Sequence, residues 1–334
     1  CEAAHHPPTE NGAAGASRAA MFDLCLQSRA LYRRFADELF DATGMDIELS
    51  LSGHARGDWR QPGILYVATR DDDCTIEALE AQRARGQRVD SADFDNSRAV
   101  WLPDEGQVDN RKLVDALRAA AVKAGVALFQ NRLMHLTRLA LDQSGVRWHK
   151  DRVTLLPPSS EHEYDKILLC AGAWSREAGN LPNSCRPPVR PVAGQMLALR
   201  TRRRVRHIVY GSDVYLVPRR DGRLIVGATM EETGFKKRVT AAGAMQLLCA
   251  ACELMPPLKD CELLDHWAGL RPATPDGLPI LGCTPIENLF VATGHFRNGI
   301  LLTPITAQLM TECVLRGADA PPAFRIDRFA VGEA

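Results

Sequence analysis

The chain has 334 residues with Lys plus Arg and Asp plus Glu both at 41, so a formal net charge of zero favours neither nucleic acid nor a membrane surface. Apolar residues at 46% and charged residues at 25% are the mixture of a soluble globular protein, and the length suits about two domains. There is no apolar run of transmembrane length, and the opening CEAAHHPPTENG has neither the basic nor the apolar region of a signal peptide, so a cytoplasmic location is expected.

In chain order, residues 1 to 20 are small and polar, with Pro7, Pro8, Gly12 and Gly15, and read as a loop. Leu24, Leu31, Phe35 and Leu39 recur at helical spacing and predict an amphipathic helix over 21–43, stopped at Gly44. GILYVA at 63–68 predicts a strand. Asp71, Asp72 and Asp73 follow; three adjacent acids could suggest a metal cluster, but at a helix start they read better as a solvated cap. Asp109 opens a helix with Leu113, Leu117 and Ala120 on its apolar face, stopped at Gly125, and 126–129 reads as the next strand. Further strands are expected around 133–141 and 152–156, with a turn at Ser144 and Gly145. KILLCAGAWS at 166–175 predicts a buried strand ending in a small-residue turn, where a cofactor backbone can come close. This order is that of the later half of a cofactor-binding α/β domain.

From Val189 the pattern changes to short strands at 195–199, 207–210, 214–218 and 224–227, with Arg220-Asp221-Gly222 as a hairpin signal, and an antiparallel sheet is expected. Thr240 caps a helix that runs to Leu254 before Pro256 and Pro257. The ten cysteines are scattered, and Cys249 and Cys252 are the only close pair, inside a helical pattern. Reduced thiols and no metal are expected.

The densest chemistry lies in WAGLRPATPDGLPILGCTPIENLFVATGHFRNGILLTP, residues 267–304. Arg271 precedes a stiff Thr-Pro-Asp-Gly turn, and its planar fork suits bidentate capture of a carboxylate. On its own, an arginine before proline is more commonly a surface or salt-bridged residue. A buried strand runs into Thr293 and Gly294, and Gly299 opens a helical pattern that stops at Gly317. Free N–H groups at such a helix start favour an anion or an electron-rich ring oxygen.

WAGLRPATPDGLPILG followed by FVATGHFRNGILLTP resembles the C-terminal flavin-binding signature of the glycine oxidase branch of the D-amino-acid oxidase superfamily. GQVDNRKLVDAL, LLCAGAWS, RPVAGQMLAL and VYLVPRRDGRLIVGATMEETGF extend the similarity over nearly the whole chain. The resemblance implies an α/β fold, in which an N-terminally truncated, Rossmann-like FAD-binding domain is interleaved with an antiparallel-sheet substrate domain. The expected segments are a connecting loop and helix at 1–45, substrate-domain parts at 46–104 and 189–265, and FAD-domain parts at 105–188 and 266–334. FAD is the implied cofactor, and a small amino acid and O2 the implied partners. A homo-oligomer and a hand-off to thiazole synthase stand open.

By the same resemblance Arg271, Tyr215 and Arg297 bind the substrate. Met134 through its main chain, Gly172, and the run Gly294, His295, Phe296, Arg297, Asn298, Gly299, Ile300 and Leu301 meet the cofactor. Hydride would pass from the substrate Cα to the flavin without a side-chain base, and His295, the one conventional base in the stretch, reads as structural. One departure stands out: no two glycines in the sequence are spaced two apart, so G-x-G-x-x-G is missing, and the first βαβ unit is expected to precede residue 1. The implied activity is oxidation of glycine or a similar amino acid to the imine or glyoxylate with hydrogen peroxide. Two rivals are an oxidase for sarcosine or a D-amino acid, and a non-catalytic truncated product without cofactor.

Overall fold

The computed structural model describes residues 13–51, 54–55, 63–68, 90–94, 97–129, 134–136, 141–142, 145–146, 152–155, 160–163, 165–178, 181–201 and 205–329. The chain forms two compact units. The first comprises Cys1–Phe22, Ala30–Val126 and Ala193–Leu270, and the second Asp23–Arg29, Ala127–Val192 and Arg271–Ala334.

The first unit holds most of an eight-stranded sheet. Its strand order is Glu262–Ala273, Arg190–Arg200, Arg223–Gly227, Tyr215–Pro218, Ile208–Tyr210, Ile64–Val67, Ser97–Leu102 and Asp90–Phe94. The expected short strands are present and the Arg220-Asp221-Gly222 hairpin joins two of them, with Leu216 opposite Val226. The sheet is mixed, not purely antiparallel, because Ile208–Tyr210 runs parallel to Ile64–Val67. No tight turn could join those two strands, which lie far apart in sequence, so a parallel pairing is open to them.

Strand alternation gives the sheet two apolar faces. One carries Leu65, Val67, Leu197, Leu199, Leu216, Leu224 and Val226 and is covered by a helix through Leu247, Ala251 and Leu254. The other carries Ile64, Tyr66, Val100, Leu102 and Ile208. Each large apolar side chain buried in this way contributes about 1.5–3 kcal/mol.

Helix α1, Ala13–Thr43, starts eight residues before the expected position. Ala13, Ala14, Ala16, Ala19 and Ala20 are strong helix formers and outweigh the single Gly15. Helix α2, Asn110–Lys123, begins as expected at Asp109, whose carboxylate accepts the N–H groups of Arg111 and Lys112. Residues 126–129 are not a strand. The Val126 N–H donates to the Ala121 carbonyl of α2 at 3.0 Å, and Phe129 is 58% exposed. Apolar composition alone does not make a strand. Helix α3, Ala241–Leu254, is capped by the Thr240 hydroxyl, which accepts the Gly243 N–H. The Asp71 to Asp73 cap lies outside the described residues.

In the second unit, Ile167–Leu169 pairs in parallel with Leu289–Thr293, which pairs antiparallel with Ile280–Cys283. A second sheet sets Arg152–Leu155 between Met134–Leu136 and Ser160–Glu163. Leu141–Asp142 pairs antiparallel with Gly145–Val146, and Ser144 of the expected turn lies outside the described residues. Helix α4, Thr303–Arg316, stops at Gly317 as expected but starts four residues after Gly299. Pro304 fixes that start, since proline is suited to the first helical turn and has no N–H to place. Val189, Ile280, Val291 and Ile326 form one buried cluster of this unit.

Candidate active site

The sequence of the second unit sets two glycine turns at the carboxyl ends of its parallel strands, the usual place for a ligand crevice in an α/β sheet. Gly172 follows Ile167–Leu169 and has φ +54°; Gly294 follows Leu289–Thr293 and has φ +76°. The two are joined by hydroxyls. Thr293 Oγ1 donates to the Gly172 carbonyl at 3.1 Å, which leaves Ser175 Oγ to donate to Thr293 Oγ1 at 2.7 Å. Ser175 and Thr293 are both buried, so these bonds replace water that neither group can reach.

The two glycines differ in what surrounds them. A Cβ on Gly294 would lie 2.5 Å from Thr274 Cγ2, whereas a Cβ on Gly172 would meet nothing within 4 Å. Gly294 therefore lets two protein segments touch, and Gly172 borders open space.

Beyond Gly294 the chain turns through Phe296–Asn298 in a short 3₁₀ helix, with Phe296 at φ +46°. That region costs a residue with a side chain of the order of 1–3 kcal/mol, a strain that clusters at functional sites. Asn298 is only 6% exposed, yet its side-chain amide bonds to no described residue. The N–H groups of Gly299 and Leu301 likewise reach no backbone acceptor among the described residues. A Cβ on Gly299 would approach nothing closer than His295 Cβ at 3.7 Å.

His295 Nε2 is 3.0 Å from Thr306 Oγ1, and burial lowers its pKa to about 4. The ring is therefore neutral above pH 5 and serves as a brace between the turn and α4. An unfolded histidine titrates near 6.5, so the stability from this neutral ring is whole above that pH and is lost as pH falls from 6.5 towards 4. Unfolding midpoints in urea should drop over this window, and His295→Gln should reduce the drop.

Helix α4 has no side-chain cap of its own. Ser28 of α1, fully buried, supplies one: its Oγ donates to the Leu301 carbonyl at 2.6 Å and accepts the Ile305 N–H at 3.4 Å. Ser28→Ala should cost about 1–3 kcal/mol, read as a lower urea midpoint, because two buried backbone groups lose their partner.

Arg271 lies near the end of its strand, Glu262–Ala273, which leads into a turn that is held on several sides. Thr274 Oγ1 donates to the Leu278 carbonyl at 2.8 Å, and Asp276 Oδ1 accepts the Leu278 N–H at 3.1 Å. Arg328 grips both Asp276 oxygens, from Nε at 2.7 Å and from Nη2 at 3.1 Å. Burial works to raise the Asp276 pKa, but the Arg328 bonds and charge hold it below the ordinary carboxylate value. The stiff turn expected after Arg271 is thus present.

The second unit brings together Gly172 and the turns that run from Gly294 through His295, Phe296, Arg297, Asn298, Gly299 and Ile300 to Leu301. Arg297 and Ile300 are exposed there. Arg271 opens the same unit. Met134 starts a strand in which its main chain pairs opposite Leu155. Tyr215 belongs to the first unit, at the head of Tyr215–Pro218.

Ser28, Ser175 and Arg328 were given no role from the sequence, and Thr293 and Asp276 entered only as turn residues. A signal existed for Ser28: it sits four residues after Leu24, a polar side chain on the apolar stripe of α1.

These residues fit the ring end of a flavin in the chemistry of their donors: backbone N–H groups, a buried amide and an open glycine turn. Glycines in the spacing needed for a pyrophosphate do not occur in the 334 residues.

The family model described as DAO, FAD dependent oxidoreductase, matches residues 3–313. The bifunctional protein ThiO/ThiG of Synechocystis sp. is 37% identical over 317 residues, 92% of this chain and 45% of that protein. The chain thus spans less than half the length of the first curated relatives it matches. Glycine oxidase of Pseudomonas aeruginosa is 33% identical over 303 residues, covering 85% of this chain and 76% of its own. The crystal structure of glycine oxidase from Geobacillus kaustophilus superposes with a TM-score of 0.76 at 30% identity, over 93% of this chain and 83% of that one. With a family model matched over most of its length and these relatives beside it, the chain belongs to the DAO family of FAD dependent oxidoreductases.

Proposed function

We propose that this chain carries the catalytic apparatus of an oxidase that uses FAD to convert glycine, or an amino acid of similar size, to its imine and then glyoxylate. The observation that carries the reading is the 33% identity to glycine oxidase, together with the glycine turns that leave open space beside Gly172 and N–H groups at Gly299 and Leu301 that reach no backbone acceptor among the described residues.

Bound FAD supplies a hydride acceptor that O2 restores with release of hydrogen peroxide. The protein residues bind and orient. Arg271 takes the substrate carboxylate in its fork, and the Tyr215 hydroxyl and Arg297 add hydrogen bonds. Met134, through its main chain, stands on the adenosine side. Residues Gly294 to Leu301 would hold the ring, and the N–H groups of Gly299 and Leu301 would offer hydrogen-bond donors to negative charge on it. The site needs no side-chain base, because the substrate amine is neutral when it reacts; His295, neutral and bonded to Thr306, is the brace of the turn. Release of the imine to thiazole synthase is proposed on the same footing, from the ThiO/ThiG name of the Synechocystis relative. The segments that include 105–188 and 266–334 are assigned to FAD, and those at 46–104 and 189–265 to the substrate sheet.

Oxygen uptake coupled to peroxide release, measured with glycine, sarcosine and D-alanine, tests this reading. The highest kcat/KM is expected with glycine. A preference for D-alanine, or no uptake with any of the three by flavin-loaded protein, would reject it.

A further inference from the structure

Three of the five tyrosines of the chain form a row across neighbouring strands of the first unit. Tyr66 faces Tyr210 in the parallel pair, and Tyr210 faces Tyr215 in the antiparallel pair. Their rings stack with centroids 5.0 and 5.3 Å apart, both at 28°. The row lies on the sheet face of Ile64, Val100 and Ile208, opposite the face covered by α3. Tyr66, 3% exposed, is its buried end, and Tyr215 is the end assigned to the substrate.

The register continues past Tyr215 to Gly227 and then to Met196. A Cβ on Gly227 would lie 2.5 Å from Tyr215 Oη, 2.6 Å from Cζ and 2.8 Å from Cε2. The phenol therefore lies across the neighbouring strand, with its hydroxyl over the glycine and 3.9 Å from Met196 Sδ. Gly227 is not among the positive-φ glycines, so a positive φ is not what selects glycine there. Space is what demands glycine there. Within a strand, glycine weakens pairing and commonly marks a close approach.

We propose that Gly227 and Tyr210 are positioning residues that fix the Tyr215 hydroxyl in place for a small α-amino acid carboxylate. Gly227 leaves the room over which the phenol lies, and the Tyr66–Tyr210 stack holds the ring from the other side. A larger residue at 227 turns the phenol aside; removal of the Tyr210 ring lets it wander. This deepens the functional reading above and rests on its assignment of Tyr215.

The test uses flavin-loaded protein and four variants: Tyr215→Phe, Tyr210→Leu, Tyr210→Phe and Gly227→Ala. Tyr215→Phe should raise the KM for glycine about tenfold, within the usual range for one hydrogen bond to a charged group. Gly227→Ala and Tyr210→Leu should raise it by a similar factor with kcat changed less than about twofold, and Tyr210→Phe, which keeps the ring, should restore the wild-type value. Near-ultraviolet circular dichroism of the protein without flavin should show the coupled tyrosine signal reduced in Gly227→Ala and Tyr210→Leu and retained in Tyr210→Phe. A raised KM in Tyr215→Phe with wild-type KM and dichroism in Gly227→Ala and Tyr210→Leu would overturn the positioning role. An unchanged KM in Tyr215→Phe would overturn the substrate role of Tyr215 and the inference with it. If Gly227→Ala does not fold, the Tyr210 pair decides by the same criteria.

Discussion

Arg271→Ala is expected to raise the KM for glycine by about two to three orders of magnitude while leaving flavin content unchanged. Removing a charged, bidentate partner from a carboxylate costs about 2–5 kcal/mol where the pair is shielded from water. The backbone of Arg271 lies within the last residues of a strand that leads into the turn held by Asp276, Arg328 and Thr274, so the guanidinium is presented from a fixed base. Arg271→Lys should recover only part of the loss, because an ammonium cannot match both carboxylate oxygens with a planar fork. Steady-state kinetics across glycine concentration, with flavin content read from the visible spectrum, check both variants. A wild-type KM in Arg271→Ala would remove the assigned role.

The second large effect is expected at Gly294. Alanine there must adopt φ +76°, at about 1–2 kcal/mol, and must also place its Cβ 2.5 Å from Thr274 Cγ2. Overpacking of a buried contact adds about 1–3 kcal/mol, so Gly294→Ala should lose about 2–5 kcal/mol of stability. Gly172→Ala is the informative contrast. Its φ of +54° carries a similar backbone cost, but its Cβ would enter open space. Gly172→Ala should therefore be the more stable of the two and should show its defect mainly in flavin retention. Urea unfolding of the two variants separates these outcomes; equal losses would mean that the Thr274 contact does not resist an added methyl.

Local chemistry explains which parts of this fold could be read from the sequence. Asp109, Thr240 and Gly317 mark helix ends by short-range bonds, and the structure places ends at those residues. The strands at 195–227 follow period-two patterning with a hairpin signal between them. Residues 126–129 are not a strand, since apolar sequence alone does not set strand pairing. The parallel pairing of Ile208–Tyr210 with Ile64–Val67 joins segments remote in sequence, as does the cap that Ser28 gives to α4. The strand, glycine turn and helix entry around 289–304 were legible, but not the hydroxyl bridge from Ser175 through Thr293 to Gly172, in which Thr293 lies more than a hundred residues from the other two. Gly227 carried no turn signal, and only the register of Tyr215 reveals why it is glycine.

The account turns on whether this chain and a flavin act together on a small amino acid, and the visible absorbance of the purified chain supplied with FAD tests that most directly. Flavin bands that remain with the protein through desalting, and bleach without oxygen when glycine is added, are the predicted result. A colourless protein after desalting, or bound flavin that glycine leaves oxidised, would contradict it.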